Sequence, residues 1–487
     1  MSDSPAPRAV SVDMTGPRAA YPDDGPARPD DNTQSAKYDG SLPPFFSLVF
    51  STRAISLAVT VIVLGNLTFY ATDVVGVPSA VIGTLFLLAR VFDAATDLVM
   101  NVLLDKTRTR WGKARPYELF IIPIWLLTVA VFSTPDMSQG WQLAYIFVMY
   151  WLITAVCQTA LNASEPVFLK RAVTGEERYA KVLSRQSVFI IIVAGVGSVM
   201  LPQLIARWGD TPGGWTLITA IYAVPMVLLG IVRFLFVKER AVSAEEAMAE
   251  RPTIKQVFRA VLRNKYAFYL GALLLLANIV VHMATITGTY FFKYVFGDIG
   301  LLSFVSLGSL LLPFTFLLFP RAVRTIGAMT FVRIGLVIAI CGYMLVFIAP
   351  TSLPLAVTGT ILGSFGSILT MLIGFFRIQV MVYGQWKSGS SVEAGPQMVT
   401  GVAEKFGMGI APALVGGLLA LAGYNGALDV QPGSANTMII ALYSLIPAIL
   451  CAAILALSFV WKLDKRMDAV KRDVENGVTA ESSSITI

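Results

Sequence analysis

Long apolar runs, each broken by only a few polar residues, follow one another from residue 46 to residue 462. A run of about 20 apolar residues crosses a bilayer core of about 30 Å at about 1.5 Å per residue. The pattern predicts twelve such helices, at 46–72, 79–104, 117–134, 141–169, 183–206, 215–237, 267–292, 300–320, 328–349, 354–383, 397–423 and 437–462. The longest connection, 238–266, divides them six and six. Within it, residues 244–249 and 254–262 read as amphipathic helical pieces lying along a membrane surface. The predicted fold is an all-α membrane protein of two six-helix halves. Residues 1–42 read as a disordered tail without the apolar core of a signal peptide. The halves cover 43–237 and 267–463, and residues 464–487 form a second tail.

Composition narrows the class. Of 487 residues, 56% are hydrophobic and 14% charged, against roughly 25% charged in soluble domains. The net charge of +7 raises the question of nucleic acid, and its placement answers it. Lysine and arginine crowd into 105–115, 170–181 and 238–266, while 73–78, 135–140, 350–353 and 424–436 contain none. That alternation is a topology signal, placing both termini in the cytoplasm. Cys157, Cys341 and Cys451 lie in apolar runs and form neither a disulfide framework nor a metal cluster. One histidine, His282, and no H-E-x-x-H spacing speak against a metalloenzyme. The tails are too short for the signalling domain of a membrane sensor.

The charges that stand out inside the spans are Arg90, Asp93, Asp97, Glu165, Arg185, Arg377, Glu404 and Lys405. Buried charge in a bilayer is costly unless it meets a partner, a cation or a cavity. Asp93 and Asp97 are four residues apart, on one face of one helix. Two carboxylates on one face are a candidate cation site. Each charge has a plainer reading as one side of an ion pair between helices.

The helix with these acids runs into a basic loop, Asp105-Lys106-Thr107-Arg108-Thr109-Arg110-Trp111-Gly112-Lys113-Ala114-Arg115-Pro116. Together with Asp93-Ala94-Ala95-Thr96-Asp97 and Tyr70-Ala71-Thr72-Asp73, this stretch resembles the glycoside–pentoside–hexuronide:cation symporters of the major facilitator superfamily. The resemblance implies alternating access by a cation-coupled symporter in a bacterial inner membrane, acting as a monomer without a cofactor. Its expected partners are a small-molecule substrate, Na⁺ or H⁺, and the lipid bilayer. The cation-binding residues it implies are Asp93, Asp97, Thr96 and Thr159, with Thr96 where relatives often carry Asn. Lys405 matches a lysine that faces those acids from the eleventh helix. Arg185 matches an arginine near the sugar, although near a helix end it also reads as a snorkel toward the cytoplasm. Asp105, Arg108, Arg110 and Arg115 are the implied cytoplasmic gate.

The departures concern the substrate. Leu57 and Asn162 stand where sugar carriers of the family carry aspartates, and acids expected near Tyr383-Gly384-Gln385 are missing. Glu165, one turn beyond Asn162, is a candidate replacement for the sugar-hydroxyl acceptor. Asn162, Glu165, Arg185, Arg377 and Lys405 form the predicted substrate set. Three bases with fewer acids favour an acidic sugar that arginine grips bidentately. Leu57 favours the alternative, an amphiphile such as a lysolipid.

Overall fold

The computed structural model describes residues 45–107, 109–173, 176–239, 262, 264–310, 312, 314, 318–388, 394–476 and 478–480. The expected tail 1–42, the amphipathic pieces at 244–249 and 254–262 (Leu262 apart), and Arg108 lie outside those residues. The described residues are overwhelmingly helical and include no strand beyond an isolated bridge between Thr109 and Gly112.

The first half comprises α1 (Phe46–Val74), α2 (Ser79–Lys106), α3 (Ile121–Val131), α4 (Gln139–Ala172), α5 (Glu176–Trp208) and α6 (Pro212–Phe236). The second comprises α7 (Lys265–Phe296), α8 (Ile299–Ser309), α9 (Ala328–Ile348), α10 (Leu353–Lys387), α11 (Ala394–Leu421) and α12 (Gly433–Ser458). Nine of these carry membrane spans by length and apolar content among the described residues. The other three have specific reasons. Helix α2 has 28 residues but holds Arg90, Asp93 and Asp97. The segment expected at 117–134 opens as a 3₁₀ turn, Arg115–Phe120, with Pro116 at its start, and leaves α3 short. The segment expected at 300–320 is described only as far as Ser309 as regular helix, and a further turn, Phe319–Thr325, precedes α9.

Residues 464–480 extend what was expected as a tail. Asp464 accepts the Met329 amide at 2.6 Å at the start of α9, and α13 (Met467–Glu475) buries Met467 and Val470. Asp473 accepts from the Trp386 indole at 3.1 Å, pinning α13 to the end of α10.

Two features bring the halves together. Helices α2 and α11 approach backbone to backbone. A Cβ at Gly83 would lie 2.5 Å from the Pro412 carbonyl oxygen, and one at Gly416 would lie 2.1 Å from that of Ser79. Small residues at such a seam let helices approach closely where lipid gives no hydrophobic drive. The apolar core is also continuous across the halves near Val74 and Phe296, where Phe69 meets Tyr290 edge-on at 5.3 Å. A second core, from Tyr266 to Val470, belongs to the second half alone.

Candidate functional site

Helix α2 crosses the bundle with three charged side chains in succession. Asp93 is 1% exposed. Its Oδ1 accepts from the Thr159 hydroxyl at 2.9 Å, and its Oδ2 lies 3.2 Å from Arg90 Nη1. From the other half, Lys405 places Nζ 3.3 Å from Asp93 Oδ2 and 2.5 Å from Asp97 Oδ2. One ammonium therefore bridges both acids. Helix α4 delivers Thr159 by means of a π-helical stretch, Leu152–Gln158, that ends just before it. The arrangement groups two carboxylates and a hydroxyl, oxygen ligands of the kind a hard cation takes, around a tethered cation. Thr96 is not part of it: its hydroxyl returns to the Asp93 carbonyl of its own helix at 2.9 Å. Lys405, expected among the substrate residues, is seated on the acid pair.

Beside this cluster lies a small, partly open cavity of about 60 Å³ between the halves. Its polar lining is Arg90, Tyr150, Gln158, Thr68 and His282, and its apolar lining includes Leu64, Phe86, Ile286 and Met408. The Tyr150 hydroxyl accepts from Arg90 Nη2 at 3.2 Å. The sequence singles out Arg90 as a charge inside a span, and none of the polar lining residues was assigned to a site. His282 was visible as the chain's single histidine, whereas nothing in the periodicity marks Gln158 or Tyr150.

The remaining substrate candidates do not converge there. Asn162 is exposed, one α-helical turn from Gln158 and so on the same face of α4. Arg185 is exposed on α5. Arg377 donates through Nε to the Thr400 hydroxyl and through Nη2 to Glu404 Oε1, both at 2.8 Å, so its charge is matched by α11. Glu165 is not an open hydroxyl acceptor. It is hydrogen-bonded by both Arg53 and Arg233, and Arg233 also grips Glu118 at 2.6 and 2.7 Å. This lattice of Arg53, Glu118, Glu165 and Arg233 went unread in the sequence. Arg53 and Arg233 do stand inside apolar runs, which is the signal that could have exposed it.

Of the predicted gate residues, Arg110 and Arg115 make contacts within the first half. Arg115 donates from Nε and Nη2 to the Phe234 carbonyl at 3.0 and 2.6 Å, at the end of α6. Glu239 accepts the successive amides of Lys113, Ala114 and Arg115, each at 2.7 Å, and lies 3.5 Å from Arg171. Arg110 stacks on its neighbour Trp111. Asp105 lies in the last turn of α2, its side chain beyond the description.

At the opposite end the halves are latched. Asp73, at the end of α1, accepts from Lys293 Nζ at 2.9 Å, from the Tyr294 hydroxyl at 2.6 Å and from the Tyr424 hydroxyl at 2.5 Å. Thr72 shares a 2.7 Å bond with Tyr290, and Thr289 donates to Asn66 at 2.8 Å.

Comparison with known proteins agrees with this architecture. A family described as MFS/sugar transport protein matches residues 51–465. An isoprimeverose transporter of Lactiplantibacillus pentosus is 30% identical over 392 residues, covering 78% of this chain and 80% of that protein. A putative glycoside/cation symporter of Escherichia coli K12 is 28% identical, covering 86% and 92%. Among solved structures, a bacterial homologue of the human lysosomal transporter Spinster, in an inward-facing and occupied conformation, superposes with a TM-score of 0.58 over 90% of this chain and 100% of that one, at 14% identity, which speaks to fold alone. The matched span runs from within α1 to beyond α12 and includes Asp93 and Asp97, and the chain belongs to the MFS/sugar transport family of multi-pass membrane transporters.

Proposed function

We propose that the protein is a secondary active symporter that couples Na⁺ or H⁺ to the import of a sugar or glycoside. The observation that carries this reading is the Lys405 ammonium lying between Asp93 and Asp97 across the interface of the halves. A tethered cation holds the acids when no mobile one is bound. A mobile cation bound by Asp93, Asp97 and the Thr159 hydroxyl displaces it, breaks one link between the halves and alters the cavity next to Arg90. Cation and substrate then favour each other, and by linkage the factor is the same in both directions.

The closed Asp73 latch, the exposed Asn162 and the partly exposed Asp97 fit a transporter open toward the Arg115 side. The positive-inside pattern makes that side cytoplasmic, puts both termini there and makes the state inward-facing. The inner membrane of a bacterium is the proposed location. Polar groups in the cavity and sugar-transporting relatives favour a hydroxylated substrate over an amphiphile. With Arg377 matched by Glu404, one of the three bases that favoured an acidic sugar is spent.

The test is uptake into proteoliposomes. Asp93→Asn and Asp97→Asn should each abolish cation-driven accumulation of a transported glycoside against its gradient. Accumulation retained in both variants would refute the mechanism.

A further inference from the structure

The cavity beside the acid pair contains polar groups from both halves whose bonding capacity is unspent. Arg90 is buried; Nη1 and Nη2 are used by Asp93 and Tyr150, while Nε is buried without a partner. Opposite it, on α7, His282 lines the same cavity, and among the described residues neither of its ring nitrogens has a hydrogen-bond partner. A buried polar group without a partner is costly. Arg90 Nε is one such group, and His282 is partly exposed on the same cavity with its ring nitrogens unbonded among the described residues; in a family of sugar transporters, the pair describes a site made for the hydrogen-bonding groups of a ligand.

The charge inventory selects the class of ligand. Arg90 is balanced by Asp93, and Lys405 by Asp97 and Asp93, so two bases face two acids. An acidic sugar would find no uncompensated positive charge in this cavity. A neutral imidazole offers one donor and one acceptor, which suits a hydroxyl, itself both donor and acceptor. The apolar wall of Leu64, Phe86, Ile286 and Met408 suits the C–H face of a sugar ring. His282 comes from the second half, and Arg90 and Gln158 from the first, so one ligand can bond to both rocking bodies at the midplane.

We propose that His282 is a specificity-determining residue that bonds a hydroxyl of a neutral glycoside held against Arg90 and Gln158. The proposal rests on the symport reading and names the residue through which the second half reads the substrate.

The experiment measures downhill uptake and cation-driven accumulation of isoprimeverose, methyl β-xyloside and 4-nitrophenyl glucuronide by wild type, His282→Leu and His282→Gln in proteoliposomes. Cation-dependent melting of the purified proteins is measured in parallel. The wild type should carry a neutral probe in preference to the glucuronide. His282→Leu should raise KM for that probe at least tenfold, with maximal rate and cation half-saturation within twofold of wild type; His282→Gln should restore part of the loss. An unchanged KM in both variants overturns the proposal, as does a wild-type preference for the glucuronide. Should His282→Leu fail to fold, a wild-type KM in His282→Gln overturns it alone. Absence of uptake of every probe with an intact cation response overturns the neutral-glycoside assignment and leaves the cation site standing. Loss of any cation response in the wild type, by contrast, defeats the underlying symport reading.

Discussion

Glu118 and Glu165 set against Arg53 and Arg233 carry the same formal charges as Asp93 and Asp97 set against Arg90 and Lys405, yet the two groups are built for different work. The first group lies within one half. It ties α1, the turn before α3, α4 and α6 into a body, and Glu118 and Arg233 are both 0% exposed. Arg233 is further flanked by the Phe50 and Phe168 rings, 4.7 and 4.5 Å from its guanidinium carbon. The second group spans the halves, and its outer members, Asp97 and Lys405, reach water. Its mobile member is a lysine, a point charge on a flexible stem, where the first group relies on planar arginine forks. Charges locked by forks and rings act as permanent joints. A lone ammonium between two carboxylates is a contact that another cation can replace.

The comparison breaks most plainly at Arg233. Arg233→Met strips one arginine from the buried Glu118 and the half-buried Glu165, and breaking a buried pair on one side costs roughly 3–5 kcal/mol. The expected outcome is severe loss of folded protein after detergent extraction, with cations giving no rescue. A melting temperature within a degree or two of wild type would show that this lattice is no joint. A smaller and reversible effect is expected at Lys405. Lys405→Ala removes the tethered competitor, so the cation half-saturation should fall about tenfold, or about 1.4 kcal/mol. The variant should be less stable without cation and regain stability with it. Titrating cation against melting temperature reads both, and unchanged half-saturation would contradict the exchange. The smallest effect is expected at the latch. Tyr424→Phe removes one of four donors to Asp73, worth about 1 kcal/mol. In a background without the native cysteines, Thr68→Cys should then react several-fold faster with an impermeant thiol reagent added from outside. No change in rate would mean that the latch does not govern opening on that side.

How far these groups could be read from sequence follows from their geometry. Asp93 and Asp97 share one helix and a four-residue spacing, and the resemblance added Thr159 and Lys405. The major facilitator fold was equally legible, because apolar length and loop charge are properties of single segments. Pairing between helices is not. Glu165 and Arg377 were visible as charges, but their partners sit on other helices: Arg53 and Arg233 are 112 and 68 residues from Glu165, and Glu404 is 27 from Arg377. A charge read without its partner looks available, which is why both were expected at the substrate. Gln158 and Tyr150 left no trace because a neutral polar side chain among apolar ones alters neither periodicity nor charge. The Thr96 hydroxyl bonds to the carbonyl of Asp93 on its own helix, a local contact that spacing alone does not reveal.

The π-helical stretch Leu152–Gln158 sets the angular phase of α4. In a straight α-helix, at about 100° per residue, Tyr150 and Gln158 would point about 80° apart. The wider turn takes up part of that angle, so both line one cavity while Thr159, the next residue, meets Asp93. The polar residues beyond the bulge owe their aim to one surplus residue in the turn. Excising a single apolar residue from 152–157 would leave every polar group in place along the chain and swing Gln158, Thr159 and Asn162 around the helix axis together, an error of direction with no error of composition.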